Sequence, residues 1–305
     1  MRLFPALNRL FLLWVILFSV AAWFFPELFT GLRFLINPGL GLIMLGMGIG
    51  LTPGDFSRII RDPRPVLIGI MLQFICMPCA AWIISVILGF DSSISSGFVL
   101  LGACPGGTAS NVIVFLSGGN VALSVTMTTF STLLSPLATP WITQLLASKW
   151  IHVPVARMFL SILLIIVLPV MSGMVLHRIL GNRVKRAVPF FQFLSVITIA
   201  FIIALILAIN RQSINPGILY IFAGVILHNG AGLALGYGIP RLFRINRTDA
   251  MTIGIEVGMQ NSGLAVKLAL DFFTPAAALP GALFSLWHNI TGAVISFSRR
   301  KHSGL

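Results

Sequence analysis

Long apolar stretches, separated by short polar or glycine- and proline-rich segments, follow one another along the whole chain. An α-helix needs about 20 predominantly apolar residues to cross the hydrocarbon core of a membrane, and ten stretches come close to that length. We therefore predict ten transmembrane spans. Their predicted bounds are 10–25, 34–51, 66–88, 94–116, 121–146, 155–176, 190–209, 217–239, 250–270 and 276–297.

The composition supports a multi-pass membrane protein. Hydrophobic residues make up 57% of the chain and charged residues only 9%, whereas a soluble domain carries roughly 25% charged residues. So few charges cannot cover the surface of a soluble protein of this size. The first apolar stretch is as long as a full span and more spans follow it, so we interpret it as a retained helix rather than a cleaved signal.

Basic residues indicate the orientation of the chain. The net charge is +13, and the ten-span prediction divides the 20 Lys and Arg residues unequally between the two sides of the membrane. One side receives Arg2, Arg9, Arg58, Arg61, Arg64, Arg178, Arg183, Lys185, Arg186, Arg241, Arg244, Arg247, Arg299, Arg300 and Lys301; the other receives Arg33, Lys149, Arg157, Arg211 and Lys267. Because cytoplasmic loops carry the excess of Lys and Arg, both termini are predicted to be cytoplasmic. The clusters form no basic face for a phosphate backbone, so nucleic-acid binding is not expected.

The sequence also contains an internal repeat. GGTASNVIVFL in the fourth span is similar to GMQNSGLAVKLAL in the ninth, with Asn111 and Asn261 150 residues apart. These spans hold corresponding places in two five-span halves, residues 1–150 and 151–305, and an odd number of spans inverts the second half. Both spans are interrupted, the fourth by Pro105, Gly106 and Gly107 and the ninth by Gly254, Gly258 and Gly263. Interrupted spans at matching places of an inverted repeat predict a transporter binding site near the membrane midplane.

Glu256 is the one acidic residue that falls well inside a predicted span. A carboxylate there costs about 2.5–3.5 kcal/mol on insertion scales, and no Lys or Arg lies at a comparable depth in an obvious pairing position. A hard cation with oxygen ligands would compensate the charge. Candidate oxygen ligands in the same or neighbouring spans are Gln73, Ser110, Asn111, Ser124, Thr128, Gln260 and Asn261. The alternative is a protonated glutamate with a purely structural role.

Five motifs resemble those of the bile acid:sodium symporter family: GGTASN, NVALSVTMTTFSTLLSPLATP, IEVGMQNSGLA, ILHNG and ALPGALFSLWHN. The resemblance covers almost the whole chain and suggests a bacterial member in the inner (plasma) membrane. It implies an all-α fold of ten transmembrane helices in two inverted five-helix repeats. Spans three to five and eight to ten would form a core domain, and spans one, two, six and seven a panel domain. The broken spans four and nine would cross in the core.

The resemblance further implies sodium-coupled transport of an organic anion by alternating access, with two Na⁺ sites. The first sodium site would use Ser110, Asn111, Ser124, Thr128 and Glu256, and the second Gln73, Glu256, Val257, Met259 and Gln260. The anion would be a bile acid-like compound or a smaller carboxylate such as pantoate or a keto acid. Half-helix N-termini favour a carboxylate, and the predicted substrate contacts are Thr108, Asn261, His288 and Asn289. His228 and Asn229 are interpreted as structural, and a monomer in the lipid bilayer is expected.

Two other functions are alternatives to symport. A metalloid-oxyanion (arsenite-type) efflux transporter would use a cysteine in the fourth span, where Cys104 lies. A membrane enzyme would need paired acids or a nucleophile beside a base, and neither arrangement is evident, so the chain is not expected to be an enzyme. The CxxC spacing of Cys76 and Cys79 is a weak metal signal on its own.

Overall fold

The computed structural model describes residues 11–51, 62–181, 183, 187–211 and 217–303, and the regular elements within these ranges are helices. In chain order they are α1 (Phe11–Phe24), α2 (Pro26–Gly31), α3 (Ile36–Gly50), α4 (Pro63–Ile87), α5 (Ser92–Ala103), α6 (Ala109–Leu116), α7 (Val121–Ala147), α8 (Val155–Leu180), α9 (Val188–Ile209), α10 (Gly217–Leu242), α11 (Arg247–Gly258), α12 (Ser262–Phe272) and α13 (Leu279–Ser303). Outside the described residues lie Leu10 of the first predicted span, Arg2, Arg9, Arg58, Arg61, Lys185 and Arg186, and also the side chains of Arg299, Arg300 and Lys301.

The structure is that of a helical membrane protein. Within the described ranges, six helices are long and apolar enough to cross a membrane: Arg33–Gly50, Pro63–Ile87, Val121–Ala147, Val155–Leu180, Val188–Ile209 and Gly217–Leu242. Two further apolar helices are shorter, Leu13–Phe24 and Ser92–Ala103. The predicted fourth and ninth spans are each divided into two helices, α5 with α6 and α11 with α12.

The two divided spans are built alike. Helices α5 and α11 have 12 residues each, and each begins after a side-chain cap that satisfies free amides of the first turn. Asp91 accepts hydrogen bonds from the amides of Ser93 and Ile94, and Asn246 accepts one from the amide of Asp249. Helix α11 begins 155 residues after α5, and α12 begins 153 residues after α6. The repeat of helix boundaries therefore differs by a few residues from the 150-residue spacing of the two asparagines.

Two of the long helices contain a wider, π-helical turn, at Leu72–Cys76 in α4 and at Leu163–Val167 in α8. Each turn ends two residues before a proline, Pro78 or Pro169. Proline lacks the amide hydrogen and clashes with the carbonyl four residues earlier, so a wider turn relieves that clash. The turn in α4 contains Gln73, and thus proline placement helps to set where this side chain lies.

Most contacts between helices fall into two groups, which α7 and α8 join. Helix α9 packs against α1 and α3, and α3 also packs closely against α8. In the other group α4 packs on α5 and α10, α10 on α11 and α13, and α7 on α5, α6 and α11. The α3–α8 contact is so close that a methyl group on Gly48 would overlap the backbone of Val170. Such close packing is expected where small residues lie between membrane helices.

Candidate functional site

The interruptions of the two divided spans pair with each other through their backbones. Gly106 and Gln260 form an isolated antiparallel bridge. Around it, the Gly107 amide donates to the Met259 carbonyl (2.7 Å) and the Asn261 amide donates to the Pro105 carbonyl (2.8 Å). Lipid cannot satisfy the amides and carbonyls that a broken helix exposes, so each interruption supplies partners for the other. Residues 105–107 and 259–261 are called the backbone bridge below.

Glycine is required where the two interruptions come closest. A methyl group on Gly107 would lie 2.8 Å from the Gln260 carbonyl oxygen, and one on Gly106 would lie 3.2 Å from Glu256 Oε2. The first distance is shorter than real Cβ contacts, and the atom that it meets belongs to the backbone. The Pro-Gly-Gly sequence therefore brings the second interruption, and Glu256 with it, close to the first.

Glu256 is buried in α11, with 1% of its surface exposed. Its Oε1 accepts hydrogen bonds from Ser110 Oγ (2.6 Å) and Ser124 Oγ, and its Oε2 accepts one from Thr128 Oγ1 (2.7 Å). Asn111 Oδ1 accepts from Ser124 Oγ at 2.7 Å and lies 3.4 Å from Thr128 Oγ1. The five residues predicted for the first sodium site thus lie together, and they are called the carboxylate cluster.

The three hydroxyls of the carboxylate cluster face more acceptors than they have protons. A hydroxyl carries a single proton, yet each of the three hydroxyls lies near more than one acceptor. The Ser110 hydroxyl is 2.6 Å from both the Gly107 carbonyl and Glu256, and the Ser124 hydroxyl faces both Asn111 and Glu256. Among the described residues no Lys or Arg is ion-paired with Glu256. Oxygen acceptors around Glu256 therefore outnumber the hydroxyl protons that face them, an arrangement that suits a cation.

The side chains predicted for the second sodium site form a network of amides beside Glu256. Gln73 Nε2 donates to the Cys104 carbonyl (2.8 Å) and to Gln260 Oε1 (2.5 Å), and Gln260 Nε2 donates to the Val257 carbonyl (3.1 Å). The Met259 carbonyl accepts from the backbone bridge. In this arrangement Gln260 Oε1 and the carbonyls of Val257 and Met259 each already accept a hydrogen bond. A narrow cleft, lined in part by Gln73 and Glu256, joins this network to the carboxylate cluster.

The residues predicted to contact substrate are found in two places. Thr108 and Asn261 immediately precede α6 and α12, next to the backbone bridge, and Asn261 Oδ1 caps α12 by accepting from the Leu264 amide (3.1 Å). His288 and Asn289 lie in α13. Asn289 donates to the Ser285 carbonyl (2.7 Å), one helical turn away.

Ser285 itself contacts α12, because its hydroxyl is 2.6 Å from that of Ser262. Asn289 therefore shares the face of α13 that meets the second divided span. His288 instead packs against Phe284 (5.1 Å between ring centroids), which also contacts His228 of α10. The structure thus places Thr108 and Asn261 beside the backbone bridge and Asn289 on the face of α13 that meets α12, whereas His288 packs against the ring of Phe284.

Three polar residues around the site make contacts that were not predicted. Asn120 caps α7 and ties it to α11, because its amide donates to Thr252 Oγ1 (2.8 Å) and its Nδ2 donates to Asp249 Oδ1 (2.5 Å). Asn229 Nδ2 donates to the Gly258 carbonyl (2.7 Å) at the end of α11. Ser131 Oγ accepts from the Gly106 amide (3.3 Å). A sequence signal existed for Asn120, since an asparagine after two glycines and before an apolar run is a typical helix N-cap.

Comparison with known proteins places the chain in a family. Residues 37–216 match the model of the Sodium Bile acid symporter family. The chain belongs to this family. A Bacillus subtilis (strain 168) protein named "Uncharacterized sodium-dependent transporter YocS" is 42% identical over 289 residues, which cover 95% of this chain and 90% of the relative.

Plant chloroplast proteins are also similar. The Arabidopsis thaliana "Probable sodium/metabolite cotransporter BASS1, chloroplastic" is 37% identical over 260 residues, 85% of this chain and 65% of the relative. The Oryza sativa subsp. japonica "Probable sodium/metabolite cotransporter BASS2, chloroplastic" is 32% identical over 297 residues, 97% of this chain and 71% of the relative. The family and these relatives are named as transporters, and the prediction that this chain is not an enzyme is confirmed.

Proposed function

We propose that this family member is a sodium-coupled symporter that takes up an organic anion by alternating access. It would have ten spans in two inverted repeats, with both termini in the cytoplasm, in the inner (plasma) membrane of a bacterium. The observation that carries the proposal is the carboxylate cluster, in which the oxygens that converge on buried Glu256 outnumber the hydroxyl protons that face them. The names of the family and of the relatives favour sodium as the cation.

The first sodium site would consist of the carboxylate cluster itself. Sodium is a hard cation, and hard cations take oxygen ligands from carboxylates, amides and hydroxyls. Binding would neutralise Glu256 and let each hydroxyl direct its proton to a second acceptor, as Ser110 can to the Gly107 carbonyl. Ligands come from α6, α7 and α11, so the cation would hold both divided spans against α7.

The second sodium site would use Glu256 with Gln73, Gln260 and the carbonyls of Val257 and Met259. The Gln73–Gln260 hydrogen bond would have to break so that Gln260 Oε1 could turn towards the ion. We therefore propose that the two sites fill in order, with the carboxylate cluster first. Two ions per anion is the stoichiometry that follows.

The anion would bind where α6 and α12 begin, on the opposite sides of the backbone bridge. Helix N-termini present free amides and the positive end of the helix dipole, which favours a carboxylate beside Thr108 and Asn261. Asn289 and His288 of α13 are the proposed further contacts. A bile acid-like anion or a smaller carboxylate such as pantoate or a keto acid is compatible with this chemistry.

Alternating access would involve movement between the two helix groups. We assign α1, α3, α8 and α9 to the panel and α4 to α7 with α10 to α13 to the core. Three contacts join the panel to the segment around the end of α12. Arg33 Nη2 donates to the Leu270 carbonyl (2.6 Å), Arg157 lies 5.6 Å from the Phe272 ring centroid, and Asn210 Nδ2 donates to the Pro275 carbonyl (3.2 Å). These contacts would break when the panel moves away from the segment around the end of α12.

Thermal unfolding of the detergent-purified protein in sodium and in potassium tests the proposal. A ligand that binds only the folded state raises stability by mass action, by about 2.7 kcal/mol at 100 times its Kd. We expect a sodium-specific rise in melting temperature that is lost in Glu256→Gln and kept in Glu27→Gln, which alters an exposed carboxylate. Equal melting temperatures in the two salts for the wild type would refute a sodium site at Glu256. A sodium-specific rise would then justify screening radiolabelled carboxylates for sodium-dependent uptake.

A further inference from the structure

A groove opens between α10, α11 and α13, on the far side of α11 from the carboxylate cluster. Its lining is apolar: Leu233, Tyr237, Met251, Gly254, Ile255 and Ile295. The groove encloses roughly 430 Å³, including the space at its open mouth. Gly254 precedes Glu256 by two residues, which is about 200° around the helix. The groove therefore borders the face of α11 opposite the carboxylate.

One helical turn beyond the groove lining lies a basic segment, residues 241–247, made of the end of α10, the connection and the first residue of α11; it is called the basic loop below. This loop contains Arg241, Arg244 and Arg247, all exposed. Tyr237 lies one helical turn before Arg241, and Met251 lies one turn after Arg247, so about 6 Å of helix separates the groove lining from the arginines on each side. Two apolar side chains between the arginines are also exposed, Leu242 (82%) and Phe243 (66%).

No described carboxylate forms an ion pair with these arginines. Among the described residues the only ion pair is between Lys267 and Asp271, far along the chain from this loop. The acid nearest in sequence, Asp249, is buried and accepts hydrogen bonds from Asn120 and Asn246. Arg241 Nη1 donates to the Ile245 carbonyl (2.6 Å), which folds its side chain over the loop. The loop therefore presents positive charge beside an apolar slot.

We propose that this surface is a binding site for one anionic phospholipid. The phosphate would lie on the arginines of the 241–247 loop, and one acyl chain would fill the groove against Gly254 and Ile255. The apolar groove and the basic loop together match a molecule in which an acyl chain is attached to a phosphate. Exposed Leu242 and Phe243 would enter the same interfacial layer of the bilayer, since apolar and aromatic residues beside basic ones are typical of segments at the membrane surface. This inference goes beyond the transport function and does not depend on it.

Lipid titration of the purified protein in potassium, without sodium, tests the site. Phosphatidylglycerol and phosphatidylcholine with identical acyl chains are added to detergent-purified protein, and unfolding temperature is recorded against lipid concentration. We expect phosphatidylglycerol alone to give a saturable rise. A basic residue near an anionic membrane contributes about 1 kcal/mol, or about five-fold in affinity, so Arg244→Gln/Arg247→Gln should weaken the apparent affinity about 25-fold. The matched control is Arg178→Gln, an exposed arginine at the end of α8, and it should bind as the wild type does.

A second variant tests the groove. Met251→Trp should fill it and abolish the phosphatidylglycerol effect although every arginine is retained; Ile295→Trp replaces it if Met251→Trp does not fold, as judged by its unfolding in phosphatidylcholine. Glycerol phosphate, which has the headgroup chemistry without an acyl chain, should have no effect. Equal stabilisation by both lipids, wild-type affinity in the double arginine variant, or an equal effect of glycerol phosphate would overturn the proposal. Because sodium is absent throughout, failure of the sodium site leaves this result interpretable.

Discussion

Gly107→Ala gives the sharpest test of the backbone bridge. The added methyl group would lie 2.8 Å from the Gln260 carbonyl oxygen and 3.3 Å from the Met259 carbonyl oxygen. Both atoms belong to the backbone, so no side chain can turn aside and residues 259–261 must move. Overpacking of this kind costs about 1–3 kcal/mol. Separation of the Gly107 amide from the Met259 carbonyl adds about 0.5–1.5 kcal/mol for the lost hydrogen bond.

The expected loss of unfolding free energy is therefore roughly 2–4 kcal/mol. Gly230→Ala is the matched control, because it adds the same methyl group within α10, where nothing lies within 4 Å; relief of glycine's entropy cost should leave it neutral or stabilised by about 0.5–1 kcal/mol. Equilibrium unfolding in mixed detergent micelles measures both. If Gly107→Ala unfolds at the same denaturant concentration as Gly230→Ala, the close approach of the two interruptions is not what stabilises the crossing.

Two further substitutions test the surroundings of the site. Thr128→Val removes the hydroxyl 2.7 Å from Glu256 Oε2 and should raise the sodium concentration for half-maximal thermal stabilisation about ten-fold, the effect of roughly 1.4 kcal/mol. Thr143→Val, which removes a hydroxyl bonded only within α7 as far as the described contacts go, should leave it unchanged, and equal effects of the two would exclude a specific role for Thr128. Asn120→Ala removes the α7 cap and its bond to Asp249, and should lower the unfolding free energy by about 1–3 kcal/mol; an unchanged unfolding curve would contradict this.

The apolar pattern predicted most of the helices because helix length and hydropathy follow directly from the residues. The two divided spans were also predicted, since Pro105 with two glycines cannot continue a regular helix and the glycines of the ninth span weaken it. The structure places the second interruption at residues 259–261, after Gly258. Sequence alone could not fix that position because the interruption is stabilised by partners from the other half of the chain.

The carboxylate cluster shows where sequence reasoning reached furthest. Glu256 stands out by its depth in an apolar span, and its neighbours were predicted from oxygen chemistry and from the family motifs together. The shortage of protons was not predictable, because it depends on which acceptors each hydroxyl faces. Ser110, for example, lies equally close to a carbonyl of its own segment and to Glu256.

The π-helical turns were not predicted, although a local signal accompanies both. Pro78 and Pro169 each follow such a turn, but Pro136 and Pro140 lie inside α7 and Pro240 lies inside α10 without one. Proline therefore permits a wider turn rather than dictating it, and packing against neighbouring helices decides. The position of Gln73 depends on that decision and could be read only from the structure.

The backbone bridge has a consequence for synthesis of the chain. Its partners, Gly106 and Gln260, are 154 residues apart, and at 5–20 residues per second a ribosome needs about 8–30 s to make that length. Throughout this interval the Gly107 amide and the Pro105 carbonyl are in the membrane without their partners, the Met259 carbonyl and the Asn261 amide. A nascent chain that stops before Met259 would therefore carry unsatisfied polar groups in the bilayer, and it should be a preferred target of membrane-protein quality control.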